Sequence, residues 1–261
     1  MKEKLKKKNL RILISNDDSI YAPGIKILEK LAREISDDIW IIAPAVEQSA
    51  SAHSLTINRP LRPKKIGEQK YAVDGTPTDC VLMAIKELMK GKKPDLVLSG
   101  INAGANLADD VTYSGTVAAA MEATLLGVPA IAFSQAGSLG SPIKWETCEA
   151  HGLKVIKLLL EEGWPEGVLI NVNFPDVPPE SIRGIEVARQ GARPDYKTLL
   201  KAKDPRGLPP YYWVGPVPEV IDIHDDSDLS TINKKKISIT PLHLDLTHDA
   251  TYARLVKKFN D

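Results

Sequence analysis

Five apolar runs, LRILIS, IWIIAP, PDLVLSGIN, VPAIAFS and VLINVNFP, recur through the first two thirds of the chain, with helical patterns filling the gaps between them. Near-continuous Val/Ile/Leu runs of this kind belong to strands covered on both faces, which is the condition of a parallel sheet flanked by helices. Between the first two runs, PGIKILEKLAREI repeats Ile25, Leu28, Leu31 and Ile35 at helical spacing. DCVLMAIKELMKG, closing on Gly91 at a C′ position, GTVAAAMEATLLG and HGLKVIKLLLEEG read as further helices. SLTINRPLRPKKI and KYAVDG read as extended, a β excursion before the second helix. The pattern predicts an α/β fold, a doubly wound, Rossmann-like, mostly parallel sheet.

Beyond about residue 176 proline becomes dense, the strands shorten, and helix returns only in DATYARLVKKF. The expected organisation is a single α/β domain over residues 1–261, with a core at about 10–176 and a β-rich arm and C-terminal extension at about 177–261. Such an arm either pairs with a neighbouring subunit or folds back on its own core; the reading favours an oligomer. Lys plus Arg balances Asp plus Glu at 34 each, so no global field draws in a nucleic-acid polymer or an anionic membrane, and a charged ligand must be captured locally. Cys80 and Cys148 form no spaced cluster, which argues against a disulfide framework or thiolate zinc site and suits a reducing compartment. MKEKLKKKNL is basic, but the apolar stretch after it is too short for a signal-peptide core, and no run approaches a membrane span. A cytoplasmic protein is expected.

In a doubly wound sheet, ligands sit outside the carboxyl ends of the strands, so the residues just after each run carry the functional argument. After the first come Asn16, Asp17 and Asp18; after the second, APAVEQSASAHS with Ser49 and Ser51; after the third, INAGANLADDVTYSGTV. Asp17 and Asp18 supply anionic oxygens, Ser49 a hydroxyl and Asn102 a carbonyl, an oxygen-only set suited to Mg²⁺, Mn²⁺ or Ca²⁺. An isolated Asp pair at a turn more often caps backbone N–H groups, but here two neighbouring loops supply matching oxygens. Ser114, Gly115 and Thr116 precede an Ala-rich helix, whose free N–H groups and dipole favour a phosphate, with Asn106 as an added amide donor. Taken alone, SGT is an ordinary N-cap; beside a carboxylate-held cation it suggests phosphoryl chemistry.

SNDD, PxxxQSxxxHSLT, DGTPTDCV, SGINAGANxxDDxxYSGTVAAAMEA and SITPLHLDLT, in this order over most of the chain, resemble the signatures of the SurE family of stationary-phase survival phosphatases. The resemblance implies a divalent-metal-dependent phosphomonoesterase, a hydrolase of the 5′-nucleotidase class. Its substrates would be nucleoside 5′- and 3′-monophosphates, with short polyphosphates in some members. It implies one Mg²⁺ or Mn²⁺ per subunit on Asp17, Asp18, Ser49 and Asn102, and phosphate contacts at Asn106, Ser114, Gly115 and Thr116. It also implies a homodimer or homotetramer formed through the C-terminal arm. Two departures stand out: KKKISITPL replaces a glycine and an aromatic found before this strand in many members, and Ala50 stands where a glycine is often found.

The expected mechanism is attack of water on phosphorus, with Asp17 and Asp18 as the catalytic pair holding the cation. An aspartyl-phosphate route lacks the Asp-x-Asp spacing of haloacid-dehalogenase-type phosphatases. His53 lies in the right loop for a general acid, although a lone His is more often structural. The alternative is a non-enzymatic, Mg²⁺-binding receiver-like signalling module, which shares the acidic pair but needs an Asp where this chain has Asn102.

Overall fold

The computed structural model describes residues 10–138, 140–193, 199–215 and 224–260. The N-terminal lysine run and parts of the proline-rich stretch, residues 194–198 and 216–223, lie outside the described residues. In chain order the elements are β1 (Ile12–Ser15), α1 (Pro23–Arg33), β2 (Ile39–Pro44), β3 (Pro63–Gly67), β4 (Lys70–Val73), α2 (Pro77–Met83), β5 (Leu96–Ala103) and α3 (Gly115–Leu125). There follow β6 (Ala130–Gln135), α4 (Trp145–Glu162), β7 (Val168–Phe174), β8 (Ile185–Val187), β9 (Leu199–Ala202), β10 (Tyr211–Val214), α5 (Asp228–Asn233), β11 (Ile237–His243) and α6 (Asp249–Phe259).

Among the described residues the main sheet runs β3-β4-β2-β1-β5-β6-β7-β11-β8. From β4 to β7 every neighbouring pair is parallel, while β3 and β11 join their neighbours β4 and β7 antiparallel. The alternation of side chains along β1 explains the two covered faces. Ile12 and Ile14 pack with Ile25, Leu28 and Leu31 of α1 and Val155 and Ile156 of α4, whereas Leu13 packs with Cys80 and Val81 of α2 and Val117 and Ala120 of α3. Each such fully buried Leu or Ile contributes about 1.5–3 kcal/mol relative to exposure. The chain winds outward from β1 to β2 and β4, then crosses back to β5 on the other side of β1. That reversal makes the gap between the ends of β1 and β5 the switch point of the sheet, the place where such folds bind ligands.

Several details differ from the sequence reading. α2 ends at Met83 and continues as a π-helical stretch, Ala84–Leu88, with the Met89 amide on the Ala84 carbonyl at 2.9 Å. Gly91 follows at φ +85°, as its expected C′ role requires. α4 begins at Trp145, ahead of HGLKV. Helix does not return only at the C-terminus: α5 precedes it, with the Ser227 hydroxyl accepting from the Ser230 amide. Two strands from beyond residue 176, β8 and β11, complete the main sheet.

The KKK departure has a local explanation. The Lys235 amide bonds to Ile232 O at 2.9 Å and the Lys236 amide to Thr231 O at 3.2 Å, the paired bonds of a helix C-terminus that requires a left-handed residue, and Lys235 takes it at φ +60°. A residue with a Cβ pays roughly 1 kcal/mol there relative to glycine. Lys236 pairs with Glu186 and Lys234 Nζ donates to Asp225 O at 2.7 Å, so these two side chains have partners within the chain.

Candidate active site

The chain leaves β1 by a turn in which Asn16 Nδ2 donates to Ser19 O at 2.8 Å and Ser19 adopts φ +94°. The turn breaks strand alternation, and the two carboxylates reach to either side of the switch point. Asp17 Oδ1 accepts from the Thr116 hydroxyl at the start of α3, and Asp18 Oδ2 accepts from the Ala103 amide at the end of β5 at 3.0 Å. Asp17 is 4% exposed. Burial pushes its carboxyl up to about 6 against the opposing pull of the Thr116 hydrogen bond, and the charge of Asp18 adds to the rise. Asp18 is raised as well, by burial first and then by the charge of Glu47, with the Ala103 amide opposing.

α3 owes its position to its alanines. Ala118, Ala119, Ala120 and Ala123 are at most 1% exposed and let the helix lie close on the sheet. Ser114 is its N-cap, accepting from the Val117 amide at 3.0 Å. A Cβ on Gly115 would lie 2.7 Å from Asp17 Cβ, 3.0 Å from Asp17 Oδ2 and 2.9 Å from Ser51 Oγ, so only glycine lets the helix start pack on the acidic turn. The Thr116 backbone amide also favours ionised Asp17, so the positive end of α3 already faces an anion of the protein itself.

The hydrogens of the two neutral members of the oxygen set are already committed to other acceptors. Ser49 Oγ donates to Glu47 Oε1 at 2.7 Å, leaving its lone pairs open, and Asn102 Nδ2 donates to Gly104 O at 2.9 Å, leaving Oδ1 3.4 Å from Thr116 Oγ1. Two carboxylates, a hydroxyl oxygen and an amide carbonyl, with ionisation of the pair disfavoured by burial, fit a hard divalent cation. Asn106 is buried among amides instead. Its Nδ2 donates to Ser134 Oγ at 2.8 Å, its amide to Asn173 Oδ1 at 2.8 Å, and its carbonyl accepts from Asn171 and Asn173. Its hydrogen bonds therefore run to β6 and β7 rather than to the acidic pair.

The loop after β2 is strapped across this crevice. The Gln48 amide donates to Asp17 O at 2.8 Å and the Ala52 amide to Tyr113 O at 3.1 Å. Further on, Thr56 meets Asp79 through its amide at 3.0 Å and its hydroxyl at 2.6 Å. His53 Nε2 stands 3.0 Å from Glu122 Oε2 on α3, which makes the ring a tether between strap and helix. Sequence reasoning overlooked Glu47 and Glu122. Ala50 takes φ +57°, which explains the preference for glycine at this place. Neither cysteine serves as a nucleophile: both are buried and free, and burial raises Cys80 well above the usual thiol range and Cys148 to about 12.

A parallel α/β sheet with an acidic, oxygen-lined crevice at its switch point defines the general class. The pattern describing the family "Survival protein SurE" matches residues 12–197, and the chain belongs to that family. It is 53% identical over 256 residues to "5'-nucleotidase SurE" of Parvibaculum lavamentivorans, covering 97% of this chain and 91% of that protein. With the protein of the same description from Paramagnetospirillum magneticum it shares 56% identity over 240 residues, 92% of each. The crystal structure of the Sure protein from Aquifex aeolicus superposes with a TM-score of 0.82 at 39% identity, covering 96% of this chain and 99% of that one. No helix among the described residues is long and apolar enough to cross a membrane.

Proposed function

We propose that this chain is a divalent-metal-dependent phosphomonoesterase that hydrolyses nucleoside 5′- and 3′-monophosphates, with short polyphosphates as further substrates. The observation that carries the reading is the approach of the α3 N-terminus to the acidic turn through Gly115. It puts first-turn N–H groups beside two carboxylates whose charge calls for a cation. Family membership and the relatives described as 5′-nucleotidases support the same reading and leave the receiver-like module without support.

Asp17, Asp18, Ser49 and Asn102 would hold one Mg²⁺ or Mn²⁺, which supplies the Lewis acidity that polarises a phosphoryl oxygen and acidifies a water nucleophile. Burial disfavours the charge that Asp17 and Asp18 need for this task; the Thr116 hydroxyl and the Ala103 amide oppose that rise in part, and the rest of the compensation would come from the cation. Ser114 and the Gly115 and Thr116 backbone would orient the phosphate, the positioning work on which phosphoryl transfer chiefly depends, with Asn106 contributing through the Nδ2 hydrogen that Ser134 does not take. Phosphate release from AMP, GMP and an aryl phosphate, with Mn²⁺, Mg²⁺ or EDTA, tests the proposal. Release that depends on the cation is expected; a folded protein that releases none with any metal overturns it.

The assembly proposed with this function is a homodimer or homotetramer through the arm. β9 and β10 pair as an isolated ribbon exposed on both faces, with Trp213 and Val214 each 66% exposed, and α6 buries none of its residues. A two-stranded ribbon is marginal in water, so apolar cover from another chain accounts for it. Light scattering is expected to read two or four chains, and a monomer at working concentration removes this part. The free buried thiols suit the cytoplasmic setting proposed for it, which cell fractionation checks.

A further inference from the structure

We infer that Asn173 of β7 and Ser134 of β6 are positioning residues of this site, which hold Asn106, and through it the loop from β5 to α3, in the place that cation and phosphate require. The inference rests on the phosphomonoesterase reading and adds to it the support behind two of its ligands. Along β7 the side chains of Ile170, Val172 and Phe174 enter the core on the side of α1 and α4, and Leu169 the core on the side of α2 and α3. Alternation puts Asn171 and Asn173 on the α3 side with Leu169, where both are fully buried, as is Ser134. The backbone ladder needs neither amide side chain: Asn171 and Asn173 are already paired with Ala132 and Ser134 of β6 and with Thr240 and Ser238 of β11. Buried amides are costly unless bonded, so what they bind decides their role.

Their partner is one residue. Asn173 Oδ1 accepts from the Asn106 amide at 2.8 Å while Asn173 Nδ2 donates to the Asn106 carbonyl at 3.0 Å, the two bonds that a residue on an adjacent antiparallel strand would make. Asn171 Nδ2 adds a second donor to the same carbonyl at 2.8 Å, and Ser134 Oγ accepts from Asn106 Nδ2 at 2.8 Å. Residues 104–107 belong to no strand or helix, and the alternate amides here are held from outside the loop. Gly104 donates to Gln135 O at 2.9 Å, Asn106 to Asn173, and Ala108 to Asp228 Oδ2 at 2.9 Å. Gly104 in turn orients a proposed cation ligand, since its carbonyl accepts from Asn102 Nδ2 and leaves Asn102 Oδ1 on the side of Thr116. Asn173 therefore stands behind both Asn102 and Asn106, and Ser134 behind Asn106 alone. Both act through these residues rather than on the substrate. Supporting partners of this kind fix the geometry on which metal binding and phosphoryl transfer depend.

The test is calorimetric titration of Mn²⁺, and then of inorganic phosphate into the Mn²⁺-loaded protein, for wild type, Asn173→Ala, Asn171→Ala and Ser134→Ala, with phosphate release from AMP and a melt of each. The two asparagine variants remove the same atoms from the same face of one strand, so their packing losses match. Their bonds differ. Asn173→Ala leaves the buried Asn106 amide without its acceptor, whereas after Asn171→Ala the Asn106 carbonyl keeps Asn173, and an amide oxygen without a partner is removed as well. Asn173→Ala is expected to weaken Mn²⁺ binding about ten- to a hundredfold, the range for supporting partners of metal ligands, with a fall of similar size in kcat/KM. Asn171→Ala should cost far less in both. Ser134→Ala should weaken phosphate binding about tenfold with Mn²⁺ affinity unchanged, a split that general loosening of the fold would not produce. Equal losses in the two asparagine variants, or wild-type Mn²⁺ affinity and turnover in a folded Asn173→Ala, overturn the inference. Unchanged phosphate affinity in Ser134→Ala removes the role of Ser134 and, where Asn173→Ala does not fold, overturns the whole. A wild type that binds no Mn²⁺ and releases no phosphate defeats the underlying reading as well. A wild type that does both while Asn173→Ala matches Asn171→Ala defeats the positioning role alone.

Discussion

Asp17→Asn is expected to abolish phosphate release and, in the same protein, to raise the melting temperature of the metal-free form. Asp17 is 4% exposed and its carboxyl is lifted from 3.8 to about 6, by burial first and by the neighbouring charge of Asp18. An acid raised in the folded state is penalised when ionised. The cost is absent below about pH 4, where the group is protonated folded or unfolded, grows as pH rises toward 6, and is complete above it. At roughly 1.4 kcal/mol per tenfold change in ionisation, ionised Asp17 costs about 3 kcal/mol at neutral pH. Asparagine keeps an acceptor for the Thr116 hydroxyl and removes the charge. For a chain of this size the gain corresponds to a rise on the order of 5 °C or more. The activity moves the other way, since loss of a cation's several kcal/mol of transition-state stabilisation is a fall of about 10³-fold. Melts of both proteins in EDTA at pH 4 and pH 7.5, with phosphate release assayed in Mn²⁺, check both halves. The two melting curves should nearly coincide at pH 4 and separate at pH 7.5. A variant that melts lower at pH 7.5, or turns over at the wild-type rate, refutes the account of Asp17.

This opposition between stability and chemistry bears on what the sequence could reveal. Strands buried on both faces leave a composition that shows through without any partner being known, and β1, β2, β5, β6 and β7 lie on the five apolar runs. The acidic pair and Asn102 were legible for a related reason: topology alone places them at the ends of adjacent strands. α5 escaped because its six residues are held from outside. Asp228 accepts from Ala108 and Gly191, residues far away in the chain, and no local periodicity records such bonds. The tether of His53 to Glu122 is equally non-local. SNDD and QSASAHS announce oxygens, but not which hydroxyl is turned away and which is unpartnered. Ser49 spends its proton on Glu47, whereas Ser51 has none to receive it. The loop that carries both serines turns through left-handed conformations at Ala50 and Ala52, whose side chains give no hint of positive φ. Lys235 hides a helix terminus in the same way.

Gly115→Ala isolates the geometric requirement from the electrostatic one, because it adds a single methyl group and no charge. The added carbon would fall 2.7 Å from Asp17 Cβ, closer than such atoms approach, with Asp17 Oδ2 and Ser51 Oγ at 3.0 and 2.9 Å. Neither neighbour can swing clear: Asp17 Cβ is one bond from a backbone bound to Gln48, and Ser51 is fixed through its own amide and carbonyl. The start of α3 must therefore back away from the acidic turn, taking the Thr116 hydroxyl and the first-turn amides with it. Displacements near 1 Å at a reacting centre cost about 10²-fold, and a loss of that size in kcat/KM is expected. The fold should survive, since alanine is the better helix former and the strain is confined to one contact. Gly67→Ala serves as the control, because its new carbon would meet only Lys70, at 3.4 Å from Cβ on an edge strand, and should leave turnover unchanged. Circular dichroism and steady-state kinetics on the pair decide the matter. If Gly115→Ala is folded and as active as Gly67→Ala, close packing of α3 on Asp17 is not what assembles the site, and the phosphate must be held elsewhere along the carboxyl edge of the sheet.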